Sequence, residues 1–269
     1  MNLLDYLVRK LLPIMPVSVR LPFEYHYLNA KGGLESETYY LSELIDRTGN
    51  AIDVGANKGY YTYALAQLPQ IERIEAFEPQ PWCSELISAY GQKSGKNINV
   101  HTCALSDTNS TLELNIPILR GRIDTTLSVG LASFKKPDVE HECVTVPVCR
   151  LDDRNLQNIV FMKVDVEGHE ESVINGARET ILREQPILQI EIENRHLYDN
   201  QTGIKDVLGI VSLVEKLGYQ TYFLADRQLL PIAKIDWVES EHKQFTMAMY
   251  DSKYVYNFIF MPQSASVAS

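Results

Sequence analysis

The chain of 269 residues has few of the features that announce a function at once. Its four cysteines, Cys83, Cys103, Cys143 and Cys149, are irregularly spaced and include no Cys-x-x-Cys pair, which disfavours a zinc or disulfide framework and suits reduced, buried thiols. There is no run of basic residues, and the net charge is −10. Nucleic-acid binding rests on Lys and Arg neutralising phosphates, so no nucleic-acid partner is expected. The P-loop Gly-Lys-Ser/Thr is missing, as are Gly-x-Ser-x-Gly and His-Glu-x-x-His. These absences argue against a nucleotide triphosphatase, an α/β-hydrolase and a zinc peptidase. His26, His141 and His196 fall in separate segments and read as surface or packing residues. No internal repeat or low-complexity tract is present.

No apolar run is long enough to cross a membrane. At the N-terminus, Leu3, Leu4, Leu7, Leu11 and Leu12 recur at helical spacing beside Arg9 and Lys10, but Pro13 and Pro16 cut the run short. No small-residue cleavage site is apparent, and a cytoplasmic location is the expectation. A helix packed on the main domain is the plainer reading of this segment. Peripheral contact with a membrane or partner is the alternative.

What the sequence does have is order. From residue 51 onward, strand and helix patterns alternate: strands at 51–54, 71–77 and 97–105, with helices at 60–67 and 82–93 between them. Half-exposed antiparallel strands at 111–116 and 144–149 flank a polar stretch, 117–142, expected to form a lid or substrate loop. A strand at 160–164, a helix at 170–183, a strand at 187–192, a helix at 205–217 and strands at 219–224 and 256–260 complete the pattern. Alternation of this kind predicts an α/β fold with a mostly parallel sheet covered by helices on both faces. The division expected is a helical extension over 1–36 and one domain over 37–269.

The strand at 51–54 runs into Gly55-x-Asn57-x-Gly59, a glycine turn at the carboxyl end of a strand, where open α/β sheets bind ligands. The spacing misses the Gly-x-Gly-x-x-Gly of a dinucleotide site. Carboxylates stand at the strand ends instead: Asp53, Glu78, Asp107 and Asp165. They suit ribose hydroxyls, an adenine amino group and a cation, and they would repel a diphosphate. S-adenosylmethionine has no phosphate and carries a sulfonium. Glu78 is the candidate for the ribose 2′- and 3′-hydroxyls, and Asp107, after Ser106, for the adenine. A strand-end or capping role is the bland alternative for each.

DVGANKGYYTYAL, AFEPQP, VHTCALSD, VTVPVCRLDD, KVDVEGHEESVINGARETIL and PILQIEIE, in that order, resemble the FkbM family of methyltransferases. The resemblance spans about residues 37–262, and its most specific part is Asp-x-Glu-Gly-x-Glu at 165–170. It implies the Rossmann-like class I methyltransferase fold, with seven strands and an antiparallel last strand. It also implies S-adenosylmethionine as cofactor and methyl transfer to a hydroxyl of a sugar, glycan or natural product. GGLESETYYLSELI resembles the family's lead-in helix and puts Glu37 over the methionine end of the cofactor.

Such a reaction needs alignment and a base. The candidates are Asp165, at the end of its strand, Glu193 at the next strand end, and His169, which titrates near neutral pH. Glu170 is read as favouring the helix N-terminus electrostatically. The cofactor set expected is Glu37, Asp53, Gly55, Asn57, Gly59, Glu78, Ser106, Asp107 and Asp165. Asp165 with Glu193 and Asn194 also resembles the oxygen donors of magnesium-dependent catechol-type methyltransferases. Mg²⁺ is the minority reading, and no metal is assigned. Two other classes stay open: a nicotinamide oxidoreductase on a similar sheet, and a non-catalytic module that binds S-adenosylmethionine. Acceptor recognition is expected in 117–142 and the N-terminal segment, with Tyr60, Tyr61, Tyr63, Trp82 and Phe134 as candidate stacking residues.

Overall fold

The computed structural model describes residues 3–118, 132–134, 139–193, 206–237 and 255–263. Its centre is β1 (Gly49–Val54), in which all six residues are buried. Strands covered on both faces read as continuous apolar runs. β1 pairs in parallel with β2 (Ile71–Phe77) on one side and with β7 (Ile159–Val164) on the other. The sheet continues outward to β3 (Ile98–His101) beyond β2 and to β8 (Ile187–Glu191) beyond β7, all parallel. The last strand, β11 (Asn257–Pro262), runs antiparallel to β8 and to β9 (Tyr219–Ala225).

The sheet has eight strands where seven were expected, because β10 (Gln228–Pro231) adds to the edge beside β9. Asp226 and Arg227, between them, both have positive φ, at 46° and 64°. Left-handed residues at both central positions match the two-residue hairpin turn whose twist suits paired strands. Asp-Arg is not one of the usual sequence signals for such a turn, so the extra strand was hidden.

Neighbouring residues in a strand enter opposite layers, as the two-residue period requires. Ile52, Met162 and Phe258 pack beneath the helices α6 (Glu170–Gly176), α7 (Arg178–Glu184) and α8 (Val207–Glu215). Ala51, Phe161 and Ile259 join the other layer, with Leu21, Leu41, Tyr61 and Leu65. Leu21 belongs to α2 (Val17–Ala30), so the segment before residue 37 shares the core of the domain. α1 (Leu3–Leu11) precedes α2; its Asp5 is bonded to Tyr27 and Lys31, and Val8 is buried. Tyr6, Leu7 and Leu11 remain exposed on it. No described helix is long and apolar enough to cross a membrane.

The helices that frame β1 and β2 have readable ends. α4 (Tyr60–Ala66) starts after Gly59, at φ +85°. α5 (Pro81–Ser94) starts on a proline, whose missing N–H costs nothing there, and stops at left-handed Gly95. Asp206 caps α8 by accepting the Gly209 N–H at 2.8 Å.

Two expected elements are divided. The strand read at 97–105 is β3 followed by β4 (Ala104–Leu105), which leaves the large sheet. β4 pairs instead with β6 (His141–Cys149), and β6 with β5 (Ser110–Pro117), in a second, three-stranded sheet. The helix read at 170–183 breaks into α6 and α7. Asp152 explains the restart: its carboxylate accepts the N–H groups of Thr180 at 2.8 Å and Glu179 at 3.2 Å, in the first turn of α7. Gly176, at the break, lies against β4's exit, where an added Cβ would fall 1.9 Å from the Ser106 carbonyl oxygen.

That contact gives a stability prediction. Gly176→Ala is expected to lose about 2–3 kcal/mol to overpacking. Gly95→Ala, at a left-handed site with open space around it, is expected to lose about 1 kcal/mol to backbone strain alone. Urea denaturation of the two variants checks the order, which reverses if the Ser106 contact is unimportant.

Candidate active site

The carboxyl ends of β1 and β7 meet where the strand order reverses direction, the usual ligand crevice of an open parallel sheet. Gly55 leaves β1 at φ +74°, and a Cβ there would lie 1.8 Å from the Asp165 carbonyl oxygen. Only glycine permits that approach. A cleft opens above it, lined by Gly55, Asn57, Glu78, Leu105, Phe134 and Asp165 among others.

Glu78, just past the end of β2, is buried and accepts the N–H of Asn57 at 2.7 Å and of Gln80 at 2.8 Å. The Gln80 side chain also bonds this carboxylate; with about four acceptor sites on the group, room is left for a further donor. Asn57 is itself held left-handed at φ 49°, which turns its N–H toward Glu78. Burial pushes the Glu78 carboxyl up to about 7, against the pull of those two N–H bonds. Asp53 lies deeper: it is buried, accepts the Thr62 hydroxyl at 2.5 Å, and is raised by burial to about 6. It supports the turn from below and is not among the residues lining the cleft.

Asp165 lines the cleft from the β7 side and is pushed up to about 7, first by burial and then by surrounding carboxylates that outnumber the nearby cation. That cation is Lys163, which is 1% exposed. Its Nζ stands 3.9 Å from Glu35, 3.9 Å from Asp165 and 4.0 Å from Glu191. It donates to Asn257 Oδ1 at 3.1 Å and sits 4.9 Å from the centre of the Tyr61 ring. Burial works against its charge, but Glu35, Asp165 and Glu191 together outweigh it and raise its pKa. Glu35 also accepts the Tyr61 hydroxyl at 2.8 Å and the Asn257 amide at 2.9 Å. Sequence reasoning missed Lys163, Glu35, Glu191 and Asn257. The available signal was a lone lysine inside the apolar run of β7, since an unpaired lysine is almost never fully buried.

The remaining candidates fall into three groups. Glu37 is buried beside Glu35, accepts the Ser36 hydroxyl at 3.1 Å, and is raised mainly by burial. Ser106 and Asp107 follow the cleft residue Leu105. The Ser106 hydroxyl is 3.3 Å from Asp107 and 3.0 Å from His169 Nε2, and Asp107 is exposed. His169 stacks edge-on against Phe134, and burial lowers its pKa, so it is neutral at neutral pH. Gly59 receives Leu21 and Ile87 closely and serves packing as well as the turn. Glu193 is buried beyond the end of β8, near Tyr256. Glu170 accepts the Gly168 N–H at 2.9 Å, closing the loop before α6.

The oxygen cluster also differs from the expected one. Among the described residues, Asp165 gathers with Glu35 and Glu191, whose oxygens lie within 4.8 Å of one another, rather than with Glu193. Asn194 and His196 lie outside the described residues, as do 119–131 and 135–138 of the expected lid. Its two ends belong to or continue β5 and β6, and residues 132–134 form one wall of the cleft. Ser133 pairs with Asn115 and donates its hydroxyl to the Glu167 carbonyl at 2.8 Å. Of the aromatic candidates, Phe134 lines the cleft. Tyr61 and Tyr63 are core residues, Tyr60 bonds Glu24, and Trp82 is exposed.

A parallel sheet in the order β3-β2-β1-β7-β8, followed by an antiparallel β11 and then β9, with its cleft over β1 and β7, defines a class I methyltransferase fold. The profile of the Methyltransferase FkbM domain matches residues 53–221, more than half of the chain. The chain belongs to that family, and the activity it supports is methyl transfer. It is 25% identical over 179 residues to the 2-O-methyltransferase NoeI of Sinorhizobium fredii, covering 61% of this chain and 71% of NoeI. A solved structure of Methyltransferase FkbM from Methylobacillus flagellatus superposes with a TM-score of 0.48 at 17% identity. The match covers 94% of this chain but only 57% of that one. A methyltransferase of Streptococcus mutans, solved in complex with SAH, gives a TM-score of 0.42 at 11% identity, covering 83% and 93% of the two chains.

The Lys163 cluster yields a prediction about pH. Asp53 and Asp165 hold protons in the folded chain that they release when unfolded, so stability falls as pH rises from about 4 to 7. Lys163→Met removes the only counter-charge described for Glu35, Asp165 and Glu191. It is expected to cost about 3 kcal/mol at pH 8, and less at pH 5, where the carboxyls can take up protons. Urea denaturation at the two pH values checks this; an equal loss at both would count against it.

Proposed function

We propose that the chain is an S-adenosylmethionine-dependent O-methyltransferase that acts on a hydroxyl of a sugar, glycan or other natural product. The observation that carries the cofactor is Glu78, a buried carboxylate at the cleft held by two backbone N–H groups and the Gln80 side chain, with acceptor capacity to spare. Beside it the Gly55 turn brings backbone, with no side chain, to the cleft. That pair suits a ribose diol. The other carboxylates at the cleft suit a cationic ligand and would oppose a pyrophosphate. S-adenosylmethionine supplies a methyl carbon already activated by its sulfonium.

The protein's own work is alignment and proton removal. Glu78 accepts the ribose hydroxyls, and Asn57 and Gly55 shape the turn beneath them. Asp53 supports that turn through Thr62. Ser106 and Asp107 form the adenine end, and Glu37 belongs to the methionine end. Asp165, a carboxylate at the cleft with a pKa near 7, takes the acceptor's hydroxyl proton on its carboxylate oxygen. Lys163, 3.9 Å away, favours the charged form of that carboxylate against burial. His169 and Glu193 are the other candidates for the base; neither is among the residues lining the cleft, and His169 packs behind Phe134. Oxygen as the methyl acceptor draws support from the 2-O-methyltransferase relative. Residues 132–134 and the segment carrying Glu35 and Glu37 are proposed to shape acceptor recognition. No metal is assigned, because Lys163 already supplies the positive charge among Glu35, Asp165 and Glu191.

Two variants separate binding from chemistry. Glu78→Ala is expected to weaken S-adenosylmethionine binding by about tenfold or more in calorimetry, since hydrogen bonds to a charged group contribute about 1.5–3 kcal/mol. Asp165→Asn is expected to keep that binding and to lower transfer of radiolabelled methyl by about 10²–10⁴. The assay is a screen of glycan, sugar and polyketide hydroxyl acceptors. Normal cofactor binding by Glu78→Ala would overturn the site, and label recovered on nitrogen or carbon would overturn the O-methyl assignment.

A further inference from the structure

Two of the four cysteines, 46 positions apart in the sequence, meet in the fold. Cys103 precedes β4, and Cys149 ends β6; the β4–β6 pairing, with Leu105 opposite Cys149, brings their sulfurs to 3.6 Å. Neither sulfur is bonded to the other. Arg154 adds a third element: its guanidinium donates to Cys149 Sγ at 3.2 Å and reaches Cys103 Sγ at 3.9 Å. Cys103 is buried and Cys149 is half-buried. Cys83 and Cys143 lie outside this group, one buried beside Asn57 and the other exposed on β6.

We propose that Cys103 and Cys149 form an oxidisable dithiol that closes to a disulfide on reaction with a hydroperoxide and thereby alters the wall of the cleft. The roles follow from position. A thiolate, not a thiol, is the nucleophile, and a neighbouring cation favours it. Cys149 has both the access and the guanidinium. Its pKa is lowered to about 6, first by the hydrogen bond from Cys103 and then by Arg154, while Cys103 is raised by the same bond.

In the first step the Cys149 thiolate attacks the peroxide oxygen, the O–O bond breaks, and a sulfenic acid and an alcohol, or water, result. In the second, Cys103 sulfur attacks the sulfenic sulfur, the S–S bond forms, and the hydroxyl leaves as water with the Cys103 proton. The balance is two thiols and one hydroperoxide to one disulfide, one alcohol and one water. The peroxide is the oxidant, so nothing further is required.

The consequence for the cleft comes from the next residues. Ala104 and Leu105, directly after Cys103, line it, and the Ser106 N–H donates to the Cys149 carbonyl at 2.9 Å. Drawing the sulfurs together to about 2.05 Å strains that short parallel pair. The effect on cofactor affinity rests on the reading of the cleft as an S-adenosylmethionine site; the linkage itself does not.

The test treats the full chain with hydrogen peroxide, alkylates it under denaturing conditions and maps the digest by mass spectrometry. The expected result is a Cys103–Cys149 linked peptide lighter by two hydrogens, reversed by dithiothreitol and absent from Cys149→Ser. Arg154→Gln is expected to slow linkage by about tenfold, because the thiolate fraction falls. Both cysteines alkylated after peroxide, linkage to Cys143 or to a second chain, or oxidation to sulfinic acid without linkage would each overturn the proposal. In calorimetry the linked protein is expected to lose S-adenosylmethionine affinity and regain it on reduction. Linkage with unchanged affinity would overturn the coupling to the cleft. Failure of the reduced protein to bind would count against the cofactor reading alone.

Discussion

A single buried ammonium organises the mouth of the sheet. Lys163 occupies a strand position that the two-residue period turns into the layer holding Ala51 and Phe161, where a hydrophobic side chain would be ordinary. A charge in that place is tolerable only when it is paired and hydrogen-bonded. The pairing draws carboxylates from three places at once: Asp165 from its own strand end, Glu191 from β8, and Glu35 from the N-terminal segment. Asn257 brings in β11, and Tyr61 brings in α4. One constraint therefore fixes the relative positions of the segments that surround the cleft, and it sets the charge state of the carboxylate nearest the proposed chemistry.

The glycine turn supplies the complementary constraint. Gly55 lets β1 and the Asp165 backbone touch, and Asn57 adopts a left-handed conformation so that its N–H meets Glu78. The carboxylate of Glu78 is thus held by two backbone N–H groups and by the Gln80 side chain. This fits a task in which an uncharged diol must be distinguished from a phosphate.

Much of this architecture was legible because strand and helix periodicity follow burial. β7 stood out as an apolar run and β1, β2 and β8 as strands alternating with helices, and the carboxylates at their ends drew notice because open sheets place ligands there. The misses have specific causes. The split of α6 from α7 depends on Asp152, a carboxylate 27 residues before Glu179, and no local pattern records a cap delivered from that far away. The departure of β4 from the main sheet depends on β6, which appears only 36 residues after Leu105. Glu35 looked like one polar residue among several in a lead-in segment; only the fold reveals that it reaches Lys163, Tyr61 and Asn257. The meeting of Cys103 with Cys149 was likewise invisible, since irregular spacing in sequence says nothing about partners brought together by a second sheet. Of the stretch 117–142, residues 132–134 reach the cleft, and no local pattern marked those three.

The placement of β11 has a consequence for how the chain assembles. This strand lies between β8 and β9, although it follows both in sequence. Until residues 257–262 leave the ribosome, the β9–β10 hairpin has no strand to join, and β8 presents an open edge. The sheet is therefore closed from the inside by a strand that comes after both of its neighbours, and the β8 side of the Lys163 cluster gains Asn257 at the same moment. Docking of β11 therefore completes the sheet and the Lys163 cluster in one step.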